Sequence, residues 1–188
     1  MTGDAPCASF TTSGYFNLAP GCVMQTSGDQ TVGETSYAIT FTPTNADQTV
    51  TVTNSAEITM NLGTNRPEVI HSEGIMRFMG DIALTVNGGS TVTGVGSGIQ
   101  LQSGGKSIFE AGLKIIMPYL GQVAVFNDDA GKVVAGFSDF DETTPSTPNG
   151  KTVQIRGDIF AFENGTQNFI ALANNESYLE GALGSSGT

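Results

Sequence analysis

Apolar and polar residues alternate with a period of two along most of this chain. In residues 36–42 (SYAITFT), Tyr37, Ile39 and Phe41 fall on one side, and Ala38, Thr40 and Thr42 on the other. Val50 and Val52 repeat the pattern within TVTVT. So do Ile58, Met60 and Leu62 in EITMNL, Ile82, Leu84 and Val86 in DIALTVN, and Ile99 and Leu101 in GIQLQ. QVAVF, KVVAGF, TVQIRGDIFAF and NFIALA follow. β-branched residues alternating with Thr or Gln, bounded by Gly, Asn and Pro, predict strands with one buried face. About ten such runs at short spacing predict an all-β fold: an antiparallel β-sandwich, jelly-roll-like, or a barrel.

The turn chemistry supports short connections. NDDAGK, between QVAVF and KVVAGF, reads as a hairpin with Asp and Gly at positive-φ positions. DETTPSTPNG, residues 141–150, reads as an exposed loop. Residues 106–120 fit two patterns. Phe109, Leu113, Ile116 and Leu120 are at helical spacing, whereas Leu113, Ile115, Met117 and Tyr119 are at strand spacing. Gly112 and Pro118 disfavour a long helix, so a strand preceded by at most one short helical turn is expected there. No internal repeat of fixed period is evident. The expected organisation is an N-terminal arm, residues 1–30, followed by one β domain, residues 31–188.

Composition narrows the function. The chain has 188 residues, with 7 Lys and Arg against 18 Asp and Glu, a net charge of −11, and no cation before Arg66. Without clustered cations to release phosphate counterions, nucleic-acid binding is excluded as an expectation, as is docking to an anionic membrane. No apolar run reaches the length that spans a bilayer, and MTGDAPCASF shows neither the basic nor the apolar region of a signal peptide.

Candidate chemistry is sparse. GGKS at 104–107 lacks the earlier glycine of a phosphate-binding loop, since position 100 is Gln100. No G-x-S-x-G occurs, and His71 is the only histidine. With Glu73 it falls on one face of an extended segment, facing solvent or a neighbouring subunit. Carboxylates cluster at Asp128 and Asp129 and at Asp139, Asp141 and Glu142. Turns rich in oxygen ligands suit calcium, though neither matches the known loop pattern. Cys7 and Cys22 are candidates for a structural disulfide or for two separate thiols. A bridge would close a loop of about 16 residues and contribute on the order of 3 kcal/mol. Arg156, Gly157 and Asp158 spell the cell-adhesion tripeptide, within a predicted strand or bulge. Sequons at Asn164 and Asn175 matter only in a glycosylating pathway. Tyr15, Tyr119 and Tyr178 are the aromatics that could stack on a sugar.

These features do not describe an enzyme, and no cofactor is expected beyond the calcium candidate. The expected role is a structural subunit on the outside of an assembled particle. A phage or virus surface protein, such as a capsid decoration, cement or tail component, fits best, either on the virion or on another extracellular particle. Strands poor in Lys leave their edges open to pairing, so a homo-oligomer and other particle subunits are the expected partners. Phe10, Tyr15, Phe16, Tyr178 and Leu179 are the expected assembly contacts. The Gly/Ser-rich segment GALGSSGT should be ordered only where a neighbour holds it. The alternative is an extracellular sugar-binding, adhesin- or pilin-like β-domain.

Overall fold

The computed structural model describes residues 8–18, 21–25, 35–45, 47–62, 66–88, 97–118, 122–128, 130–162 and 165–186. Its strands come in successive coils of three. The first coil is β1 (Ala8–Phe10), β2 (Gly14–Phe16) and β3 (Cys22–Gln25); the second is β4 (Thr35–Phe41), β5 (Thr49–Val52) and β6 (Ala56–Leu62). The third is β7 (Arg66–Ser72), β8 (Ile75–Phe78) and β9 (Ile82–Gly88); the fourth is β10 (Ser97–Leu101), β11 (Lys106–Phe109) and β12 (Leu113–Ile116). The fifth is β13 (Val123–Asn127), β14 (Lys132–Ala135) and β15 (Val153–Arg156). The sixth is β16 (Asp158–Phe162), β17 (Gln167–Ile170) and β18 (Tyr178–Glu180), and β19 (Leu183–Ser186) opens a seventh.

Each strand hydrogen-bonds to the strands three before and three after it, always in parallel. Sheet I is β1-β4-β7-β10-β13-β16-β19, sheet II is β2-β5-β8-β11-β14-β17, and sheet III is β3-β6-β9-β12-β15-β18. The chain is therefore a three-sided parallel β-helix, in which each coil packs mainly on its neighbours.

Register aligns like with like. Ile39, Ile70, Ile99, Val125 and Ile159 stack inside sheet I. Val52, Phe78, Phe109 and Ala135 stack inside sheet II, and Ile58, Leu84, Ile115 and Ile155 inside sheet III. All are buried. Each large side chain so placed contributes about 1.5–3 kcal/mol relative to exposure. Phe78 and Phe109 lie ring on ring, with centroids 4.8 Å apart and 4° between planes.

The all-β expectation holds, and among the described residues there is no helix. The antiparallel sandwich, jelly-roll or barrel is overturned, because all three sheets are parallel. The reason is physical. Alternation reports that one face of a strand is buried, and a coil strand with one face inward produces the same signal as an antiparallel strand.

NDDAGK is likewise not a hairpin. β13 lies in sheet I and β14 in sheet II, so the segment is a corner where the chain changes sheet. Among its described residues the positive-φ one is Ala130, at 60°. The corner is tied to the next coil, since the buried Asn127 amide donates to the Gly131 carbonyl at 2.9 Å and to Asn168 Oδ1 at 3.0 Å. In the ambiguous segment, β11 and β12 replace the helical turn, with Leu113, Ile115 and Met117 pointing into the core.

A repeat does exist, but its length varies. In sheet I the step between stacked partners is 31 residues from Ile39 to Ile70, 29 to Ile99, 26 to Val125, 34 to Ile159 and 24 to Leu183. In sheet III the step from Ile115 to Ile155 reaches 40. Corners absorb the difference: a single residue, Gly157, joins β15 to β16, whereas residues 136–152 join β14 to β15.

Candidate functional site

The predicted acidic residues of the long loop are engaged by the loop itself. Residues 136–152 form a flap against the outer face of sheet II, closed by an antiparallel bridge between Phe137 and Pro148. Ile108 and Val134 project outward from that sheet, apart from the interior core, yet both are buried, as is Pro145 of the flap.

Asp139 accepts hydrogen bonds from the Ser146 and Thr147 amides at 2.9 and 3.0 Å. Partial desolvation of its carboxyl opposes ionisation, but the bonds from Ser146 and Thr147 outweigh it and bring its pKa down to about 2. Asp141 pairs with Arg77 at 3.5 Å, while Arg77 makes its closer pair, 2.7 Å, with Glu110 and lies over the Phe140 ring. Glu142 takes part through its backbone, accepting from Lys132 Nζ at 2.6 Å. Lys132 stands directly beside Lys106 in register. Burial, then repulsion from Lys106, lowers its pKa despite Asp141 and Glu142 nearby.

The other acidic candidate is split. Asp128 starts the β13–β14 corner, where its carbonyl accepts from the Gly131 amide at 3.1 Å, and Asp129 lies outside the described residues. Among the described residues, no group of three or more His, Cys, Asp or Glu side chains could hold a metal ion.

His71 is packed within its own chain, with its Nε2 3.5 Å from Glu73 Oε1 and its ring edge-on to Tyr37 at 5.1 Å. Cys22 begins β3, in register with Ile58. Cys7 lies outside the described residues, and so does the question of a bridge. The Arg-Gly-Asp tripeptide occupies the tightest corner. Gly157 has φ 134°, and a Cβ there would come within 2.8 Å of Met117 Cγ. Asp158 accepts from the Ala182 amide at 2.8 Å, so the tripeptide is not displayed on a tip.

The expected assembly contacts divide in two. Phe10 is buried in the core and Phe16 packs on it, with rings 4.6 Å apart, so both serve this chain's own first coil. Residues 8–25 supply strands to all three sheets. Tyr15 is 80% exposed and Tyr178 38%, on outer faces, while Leu179 is half-buried. The neighbour that orders the Gly/Ser-rich segment is the chain's own β16, which pairs with β19.

A groove of about 850 Å³ was not legible in the sequence. It runs along the corner where sheet II passes into sheet III, across successive coils. Its lining includes Gly21, Ser55 and Glu57, Asp81 and Ala83, Gly112 and Lys114, and Lys151, Thr152 and Gln154. Three corners of three residues each, 53–55, 79–81 and 110–112, make it regular. Asp81 fixes two of them: its amide donates to Ser55 Oγ at 3.0 Å, and its Oδ1 accepts from the Gly112 amide at 2.7 Å. A Cβ at Gly112 would approach that oxygen to 2.9 Å, which keeps the position small. Only the stacking register could have brought these residues together, because they span more than a hundred positions of the chain.

No protein-family model, no curated protein and no solved structure matches this chain.

Proposed function

We propose that the chain is a non-enzymatic structural subunit on the outside of an assembled particle, most simply a virion surface protein of the capsid-decoration or tail type. One observation supports this reading above others: among the described residues, the last strands of the three sheets leave apolar side chains and strand edges uncovered. The buried ladder from Ile39 to Ile159 continues in register to Leu183, which is 72% exposed, with no described strand stacked beyond it. Ile170 and Leu179 on the sixth coil are only partly covered, and Leu172 is 47% exposed.

The free edges of β17, β18 and β19 carry no Lys or Pro to discourage pairing. Phe126, Phe160 and Phe162 extend the apolar surface onto the outer face of sheet I; Phe126 stacks on Phe162 at 4.9 Å. An apolar coil end with free strand edges suits a second chain continuing the sheets. A second copy is the simplest such partner, in an end-on contact. The net charge of −11 supports an exterior position, away from packaged nucleic acid.

Sedimentation of the full chain at tens of micromolar tests this. Oligomers are expected, and Leu183→Asp should shift them to monomer without altering the β spectrum. A wild-type protein that remains monomeric, or oligomers indifferent to Leu183→Asp, overturns the reading.

A further inference from the structure

The groove between sheets II and III belongs to no assembly contact argued above. We infer that it binds a linear oligosaccharide carrying carboxylate groups.

Four properties lead there. First, its length: residues from five stacked coils contribute, and at about 4.8 Å per coil this spans about 19 Å, the shape of a chain rather than a single ring. Second, its chemistry: the walls carry hydroxyls, an amide and opposite charges, with small residues between, and no aromatic or large apolar pocket beyond the strand ends. Third, its backbone is engaged. The strands flanking it, β6, β9, β12 and β15, pair on both sides, so a peptide cannot add as a strand and only side chains remain to bind. Polyhydroxylated ligands are recognised by such side chains.

The fourth property is the placement of charge. The molecule carries 7 cations against 18 acids, yet two exposed lysines, Lys114 and Lys151, sit in this groove on adjacent coils. Among the described residues neither ammonium has a carboxylate within ion-pair distance, whereas Arg77 and Arg156 do. Glu57 and Asp81 lie toward the other end, on the second and third coils. The pattern orients a ligand: a carboxylate over Lys114 and Lys151, and hydroxyl donors over Glu57 and Asp81. Two lysines amid net negative charge are too few for nucleic acid. Next in register after Gln154 comes Tyr178, whose exposed ring offers a stacking face where the groove runs out.

The probe is a tetrasaccharide alternating glucuronate with N-acetylglucosamine, titrated calorimetrically into the full chain. A neutral tetramer of N-acetylglucosamine serves as the comparison. The alternating sugar should bind at sub-millimolar concentration, and Lys114→Gln/Lys151→Gln should weaken it at least tenfold with the melting temperature unchanged. Absence of binding at millimolar sugar, equal binding of the neutral tetramer, or full binding by the double variant would each overturn the inference.

Discussion

The outer faces of sheets II and III are treated in opposite ways. On sheet II, Ile108 and Val134 project outward, and the chain spends residues 136–152 on sealing them with a flap anchored by Arg77, Lys132 and Asp139. On sheet III the corresponding outward row is Glu57, Ala83, Lys114 and Gln154, and it stays open. Of these two faces, the chain covers the apolar one and leaves the polar one as a groove. The C-terminal coil breaks that rule. Leu183 and Leu172 are apolar and uncovered, which is why a partner chain is proposed there rather than at either lateral face.

The comparison can be broken from the inside outward. Phe109 stacks on Phe78 beneath sheet II and is fully buried. Phe109→Ala removes the ring and leaves a cavity in a ladder that cannot collapse along the axis, so a loss of about 3–5 kcal/mol is expected by chemical denaturation. By contrast, Thr85→Ala on the outer face of sheet III should change stability by less than about 0.5 kcal/mol. Similar losses from both would mean that the two faces of a coil are not distinguished as described.

Arg77 is the next step out. It is the one cation that joins sheet II to the flap, reaching Glu110 on its own sheet and Asp141 on the flap. Arg77→Ala leaves Glu110, whose side chain is largely buried, without its charged donor, and about 2 kcal/mol should be lost. The 3.5 Å contact to the more exposed Asp141 contributes little by comparison. The sharper readout is local: limited proteolysis should cut within 138–148 in Arg77→Ala while the coils remain intact. Resistance equal to wild type would show that the flap is held by its apolar contacts alone.

The inward positions were largely legible in the sequence. Ile39, Phe41, Val50, Val52, Ile58, Met60, Ile82, Leu84, Val86, Ile99 and Leu101, all assigned by alternation, are buried. The outward positions follow the pattern less strictly: Ala38 and Thr51, on the nominally outward side, are buried, while Tyr37 is only half-buried. Strand direction was not legible, since a coil strand and an antiparallel strand share one pattern of burial. Nor was the repeat, because steps from 24 to 40 residues defeat any fixed period. The flap read as a loop from its Pro and Thr content, but its docking sets Asp141 beside Arg77, 64 residues earlier. The groove depends on register across five coils. Both are consequences of stacking, which no local window contains.

The smallest expected effect is at Asp139, inside the flap. Its carboxylate accepts from the Ser146 and Thr147 amides, and its pKa in the folded protein is about 2, below the ordinary value of 3.8. The sign follows from proton binding: as pH falls below about 4, an unfolded chain takes up this proton before the folded one does. The contribution of Asp139 is therefore complete above its ordinary pKa and is lost as pH falls through about 2. Its partners, Ser146 and Thr147, belong to the flap itself, so the effect belongs to the flap and not to the coils. Asp139→Asn keeps the shape and removes the charge. It should lower the protection of the Ser146 and Thr147 amides at pH 6, taken relative to the intrinsic exchange rate at each pH, to the degree that wild type reaches only near pH 2, while the buried amides of β11 and β14 stay as protected as before. Protection at 146 and 147 that is insensitive both to pH and to the substitution would mean that the flap is not held by this carboxylate. The sealing of sheet II would then rest on Arg77, Lys132 and the apolar contacts.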